Sequence, residues 1–222
     1  VAPVYGQFHV DNIRADLKLT AEATGALRDE EALLETLESL SLDPSILSAL
    51  KPFLDKRSQR EKSLRNSVIR MLNGGSLDAP IRHLRALLSL PCNPKKDKEA
   101  RSFARHVVLD AQLVVDQKRL AEVSNVTAMH ELRISHKRLR YAIEAFLPSL
   151  PPELRVWKDV STKFQRALGE LHDQDVAIEL FQRANMIPDS TRDLVLSALS
   201  QAREKSAANY LQLVGAGFHP QP

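Results

Sequence analysis

Residues 130–146 read HELRISHKRLRYAIEAF. Cationic side chains recur there at steps of three and four, the steps that make neighbours on one side of an α-helix. Wound at about 100° per residue, the stretch collects His130, Arg133, Lys137, Arg140, Tyr141 and Glu144 on one face. Leu132, Leu139, Ile143 and Phe146 fall on the opposite face, flanked by Ser135 and Ala142. One side is made to pack. The other presents a line of positive charge about 15 Å long at 1.5 Å rise per residue. Such a line suits an extended polyanion. Arginine offers phosphate a bidentate fork, and lysine a point charge. A charged helix face is ordinarily just solvated, and it mixes signs at i,i+4. This one is nearly of one sign: Glu144 is the acid within the stripe, and Glu131 lies off it, beside Arg138.

Other chemistry at these residues is weaker. His130-Glu131 matches the start of the zinc-protease motif, but that motif needs a second histidine four residues on. Ile134 stands there. His136 falls about 240° around the helix from His130, so the two cannot share an ion. No metal and no cofactor are expected. With an ordinary pKa near 6.5, His130 can instead gain charge beside a polyanion. There is no Walker-type phosphate loop and no nucleophile with an activating neighbour. The single cysteine, Cys92, lies in a proline-bounded stretch with no such partner. The chain is therefore expected not to be an enzyme.

The elements that must position these residues read as helices. Hydrophobic residues make up 43% of 222, charged residues 27%, and there are only seven glycines. Aromatics are 5%, few for a β-sandwich. Periodicity predicts helices over about 12–40, 44–72, 80–90, 96–122, 128–147, 153–184 and 190–214, by their apolar spacing and caps. Asp43-Pro44 opens the second, Pro52 is expected to kink or break it, and Asn73-Gly74-Gly75 stops it. Trp157, Val160, Phe164, Leu168 and Leu171 share one face and read as core.

An internal repeat runs through this pattern. ATGALRDEEALL at 23–34 aligns with ALGELHDQDVAI at 167–178, matching Gly25 with Gly169 and Asp29 with Asp173. The two aspartates could be a catalytic pair, but orienting neighbouring cations or backbone groups is the favoured role. The two glycines are expected to allow close helix approach or to mark a kink. The expected fold is all-α, with two pseudo-repeated antiparallel bundles. Residues 1–91 form the first, lacking its two leading helices, and 92–222 the second, with four. The start, VAPVYGQFHV, has neither an initiator Met nor a signal-peptide pattern. A processed or partial chain is expected.

HELRISHKRLRYAIEAF with FQRALGELHDQDVAIEL resembles the second half of a CHAD domain, the conserved histidine α-helical domain. ATGALRDEEALLETL is similar to that family's first LG-x-x-RD segment. The resemblance implies two four-helix bundles with a basic groove between them, binding inorganic polyphosphate without catalysis. Carried onto this chain, it implies a lining of His130, Arg133, Lys137, Arg138 and Arg140, with Lys163 and His172 from the later motif. The first repeat adds Lys18 and Arg28, and Arg166 and Tyr141 join the same surface. The family's first histidine motif is absent here.

Competing readings are a nucleic-acid binder, an accessory domain of a phosphohydrolase, or a plain helical scaffold. The first is disfavoured because the strip lacks interleaved aromatics for stacking bases, Tyr141 being the only one on that side, and lacks amides for reading them. The expected partner is inorganic polyphosphate, with no membrane partner. The expected compartment is the cytoplasm, with polyphosphate granules as a candidate within it. Oligomeric state is not legible.

Overall fold

The computed structural model describes residues 7–89, 97–184 and 186–216. Among them every regular element is helical. The segment 91–94, with Cys92, lies outside the described residues. The chain divides into two compact units, residues 1–94 and 95–222.

The first unit holds α1 (Gln7–Ser39), α2 (Pro44–Asn73) and α3 (Asp78–Ser89). α1 packs on both α2 and α3. Glu30, Leu33 and Leu37 are its buried positions, spaced three and four apart as one helix stripe requires. The Glu30 Oε1 accepts from Arg57 and Arg60 of α2, both at 2.9 Å, which pairs the buried charge, while its Oε2 is buried without a hydrogen-bond partner. His83 of α3 meets Asp16 of α1 at 2.8 Å.

The expected break at Pro52 does not occur; α2 runs through it. The physical reason is position. Pro52 and Ser48 are not buried, so the carbonyl that loses its i→i−4 donor faces water. The expected stop is real: the helix ends at Asn73, Gly74 caps it, and Gly75 follows with a left-handed φ of 80°. A Cβ there would also lie 2.6 Å from an Asp78 carboxylate oxygen.

The second unit holds α4 (Asp97–Lys118), α5 (Val126–Phe146), a 3-10 turn (Leu147–Ser149), α6 (Pro152–Arg155), α7 (Trp157–Gln182) and α8 (Asp189–Gly215). α5 packs between α4 and α7, and α7 packs on α8. Their core includes Val108, Leu132, Leu139, Ile143, Phe164, Leu168, Leu171 and Tyr210. Trp157 is buried with them, as its spacing predicts. The helix expected over 153–184 is divided. One short turn, Pro152–Arg155, precedes Trp157–Gln182, and the Arg155 Nε donates to the Leu150 carbonyl at 2.8 Å. Asp175 of α7 pairs with Arg203 of α8, which also donates to the Val123 carbonyl at 3.1 Å. No helix among the described residues is long and apolar enough to cross a membrane.

Candidate polyanion-binding site

α5 begins at Asn125, whose side-chain oxygen accepts from the Ala128 amide at 3.0 Å. That cap fixes where the helix starts, and so where each later side chain points. Leu132, Leu139 and Ile143 are fully buried. The helix thereby turns its opposite side outward, carrying His130, Arg133, Lys137, Arg140 and Tyr141.

Contacts across to α7 set the antiparallel register. The His130 ring stacks on His172, centroids 4.7 Å apart and planes 30° apart. Arg133 Nε lies 3.8 Å from where a Cβ on Gly169 would be. Deeper in, the His136 ring stacks on Phe164 at 5.0 Å, with Nδ1 3.5 Å from the Ser161 hydroxyl. The 3.8 Å at Gly169 is ordinary contact distance, so a Cβ would fit beside Arg133. Nothing at all lies within 4 Å of a Cβ placed on Gly25. The expected close approach is seen at neither glycine, because no neighbouring backbone comes near enough to exclude a side chain.

The cations of the strip are held but not neutralised. Arg133 Nε and Arg140 Nε are both buried without a hydrogen-bond partner. Arg140 lies over the Tyr141 ring at 4.8 Å, and Lys137 Nζ stands 5.8 Å from the same ring. Tyr141 therefore braces two cations through its π-face. One carboxylate answers them, Glu144, at 3.6 Å from an Arg140 terminal nitrogen. That is too long for a hydrogen bond and partly open to water, hence worth little. Glu131 is drawn off to Lys118 of α4 at 2.7 Å.

Proton chemistry is concentrated at the histidine pair. The His130 pKa is lowered, first by loss of hydration, then by repulsion from His172 and Arg133; Glu131 opposes this. An anion at this end of the strip would push it the other way. Asp173, expected to orient a neighbour, sits 3.2 Å from His172 Nδ1.

Other residues implied by the resemblance lie elsewhere. Arg138 lies about 100° around α5 from Lys137. Lys163 is exposed about 180° around α7 from His172. Arg166 is nearer, about 60° from Gly169. Lys18 and Arg28 stand on α1 of the first unit, Lys18 at 3.7 Å from Glu22 and Arg28 exposed.

His136 is the residue that sequence reasoning passed over as a structural element. It is completely buried, and loss of hydration lowers its pKa to about 4. The signal was present: it shares the spacing of Leu132, Leu139 and Ile143.

Neither the curated proteins nor the solved structures contain a match to this chain. A family model does match, over residues 1–182, from the first unit to the end of α7. That model describes the CHAD domain, and the chain belongs to the CHAD domain family.

Proposed function

We propose that this protein binds inorganic polyphosphate, or a similar linear polyanion, along the exposed face of α5 and the adjoining edge of α7, without turning it over. The observation that carries the reading is the pair of buried Nε groups on Arg133 and Arg140, donors with no protein acceptor. A buried donor left unsatisfied costs about 1–3 kcal/mol, and more when charged. A phosphate would instead meet the terminal guanidinium nitrogens and supply the counter-charge that both side chains lack, since Glu144 answers Arg140 only at 3.6 Å. Lys137 lies between the two arginines, so successive phosphates would meet successive cations. His130 and His172 close one end, and Tyr141 keeps Arg140 and Lys137 extended. The strip belongs to one helix of one unit, so it is rigid before the ligand arrives, which reduces the ordering cost of binding.

The test replaces Arg133, Lys137 and Arg140 together by Gln. Gln has similar helix propensity, so α5 should persist. Calorimetry with long-chain polyphosphate should show affinity falling by at least about tenfold, equivalent to about 1.4 kcal/mol. Wild-type affinity should fall steeply with salt, as contacts to a phosphate backbone do. Unchanged polyphosphate binding by the triple variant would overturn the reading. So would a wild-type preference for duplex DNA at matched phosphate and salt, and so would phosphate release that disappears when Asp173 is replaced with the fold intact.

A further inference from the structure

A second basic feature of the C-terminal unit lies on the other side of α5. The 3-10 turn and the proline-bounded segment 148–152 close against the first turns of α4 and leave a cleft of about 530 Å³. Arg101 and Arg105 reach it from α4, and Arg155 from α6. Ser102 and Ser149 also line it, and no carboxylate does. Phe103, about 200° around α4 from Arg101, turns inward and meets Phe146 edge-on at 5.9 Å. Phe146 itself falls about 180° around α5 from Lys137. The cleft and the polyphosphate strip therefore do not share a surface.

Three guanidiniums in one concavity need an explanation. Arg101 and Arg105 stand four apart on a helix, a spacing at which like charges repel and destabilise. Asp97 stands at that step before Arg101, but Arg105 has Leu109 at the same step, and among the described residues no carboxylate pairs with Arg105. Arg155 is oriented by the bond from its Nε to the Leu150 carbonyl, 2.8 Å long. That bond leaves its terminal nitrogens for another acceptor. Pro148, Pro151 and Pro152 fix their own φ angles, and Leu150 and Leu154 are buried beneath. The walls are thus set before any ligand binds.

We propose that this cleft is a separate binding site for a short phosphate chain, free or carried as the triphosphate group of a nucleotide. Guanidinium forks match phosphate oxygens in pairs, and the two serine hydroxyls can donate to the same oxygens. The concave shape limits the ligand to a few phosphates, whereas the open strip on α5 limits length only by its own extent. The proline wall gives a sugar or base an apolar surface to rest on.

The experiment uses the full chain with Arg133, Lys137 and Arg140 replaced by Gln, which removes the strip from the measurement. Sodium tripolyphosphate titrated into this protein by calorimetry should bind one equivalent. Adding R101Q and R105Q should weaken that binding at least tenfold, with helix content by circular dichroism unchanged. Ser102→Asp, which places a carboxylate in the cleft without removing an arginine, should weaken it similarly. An ATP arm separates the sources: equal affinity means the phosphate chain alone is read, and tighter ATP binding means the proline wall contributes. No binding by the strip-neutralised protein, or binding insensitive to R101Q/R105Q and Ser102→Asp, would overturn the proposal. Neither result bears on long-chain binding by the strip, which is read in the protein with an intact α5.

Discussion

His136 occupies a core position in α5, between Leu132 and Leu139, yet it carries a titratable ring. Burial favours its neutral form and lowers the pKa to about 4. The folded state then binds fewer protons than the unfolded state, whose histidine titrates near 6.5. Stability from this residue is complete above pH 6.5 and is lost as pH falls toward 4. The loss at pH 4 should be about 3 kcal/mol. Carboxylates titrate over part of the same range, so the comparison that isolates the histidine is with His136→Gln. Urea unfolding measured from pH 7 to 4 should show wild type losing about 3 kcal/mol more than the variant. Parallel curves would mean that the imidazole is not buried in its neutral form. At this scale the sequence was legible wherever a residue's type agreed with its face. The cationic strip was read from spacing, because its members are polar and recur at steps of three and four, although Arg133 and Arg140 are in fact partly buried. His136 was weighed only as a metal ligand, while its spacing with Leu132, Leu139 and Ile143 placed it inside. Tyr141 bracing Arg140, and His172 stacking on His130, depend on side-chain direction and on a second helix, which spacing along one helix cannot supply.

Among the elements, α5 is the one whose placement matters most, and its start rests on a single side chain. The Asn125 side-chain oxygen accepts from the Ala128 amide there. Replacing Asn125 by Ala should cost about 1 kcal/mol of stability. Chemical denaturation should show a lower midpoint with an unchanged slope. Asn125→Ser should retain most of that stability, because a serine hydroxyl also accepts from the first-turn amides. Losses with Asn125→Ser and Asn125→Asp as large as with alanine would mean that the cap does not hold the helix. Helix identities followed from period and punctuation, and ends were placed within a few residues. The two departures have local causes. α2 continues through Pro52 because the affected carbonyl is solvated. The helix expected from 153 is divided because the segment after Pro151 and Pro152 turns once, then restarts at Trp157 to bury that ring. A proline in a sequence marks a missing donor, but whether water can replace it depends on which side of the helix it faces.

The two units differ in how well each closes over its own apolar residues. In residues 95–222 the helices pack in series, α4 on α5, α5 on α7 and α7 on α8. One core runs from Ala104 to Tyr210 with aromatic contacts at its centre, Phe164 meeting both His136 and Tyr210. Arg203 ties α8 to α7 and to the turn before α5. About 130 residues arranged in this way can bury roughly two-thirds of the surface that the unfolded chain exposes. In the first unit the buried apolar side chains are fewer, led by Leu33, Leu37, Leu50, Val68 and Leu87. Leu19, Leu47, Ile69, Ile81, Leu84 and Leu88 remain exposed, Leu19 at 72% and Leu88 at 61%. Surface leucines singly are ordinary, but this many on three helices leave little apolar burial to set against chain entropy. Residues 95–222 produced alone should therefore melt cooperatively, with calorimetric and van't Hoff enthalpies in agreement. Because Arg133, Lys137, Arg140, His130 and His172 all lie within it, that fragment should also keep most of the polyphosphate affinity of the full chain. Residues 1–94 alone should lose helicity gradually on heating, without a sharp transition, or sediment as an associated species. A broad, non-cooperative melt of 95–222 would show that its core needs the first unit. A sharp monomeric transition of 1–94 would show that three helices with this much exposed leucine are sufficient, and the inequality between the units would have to be abandoned.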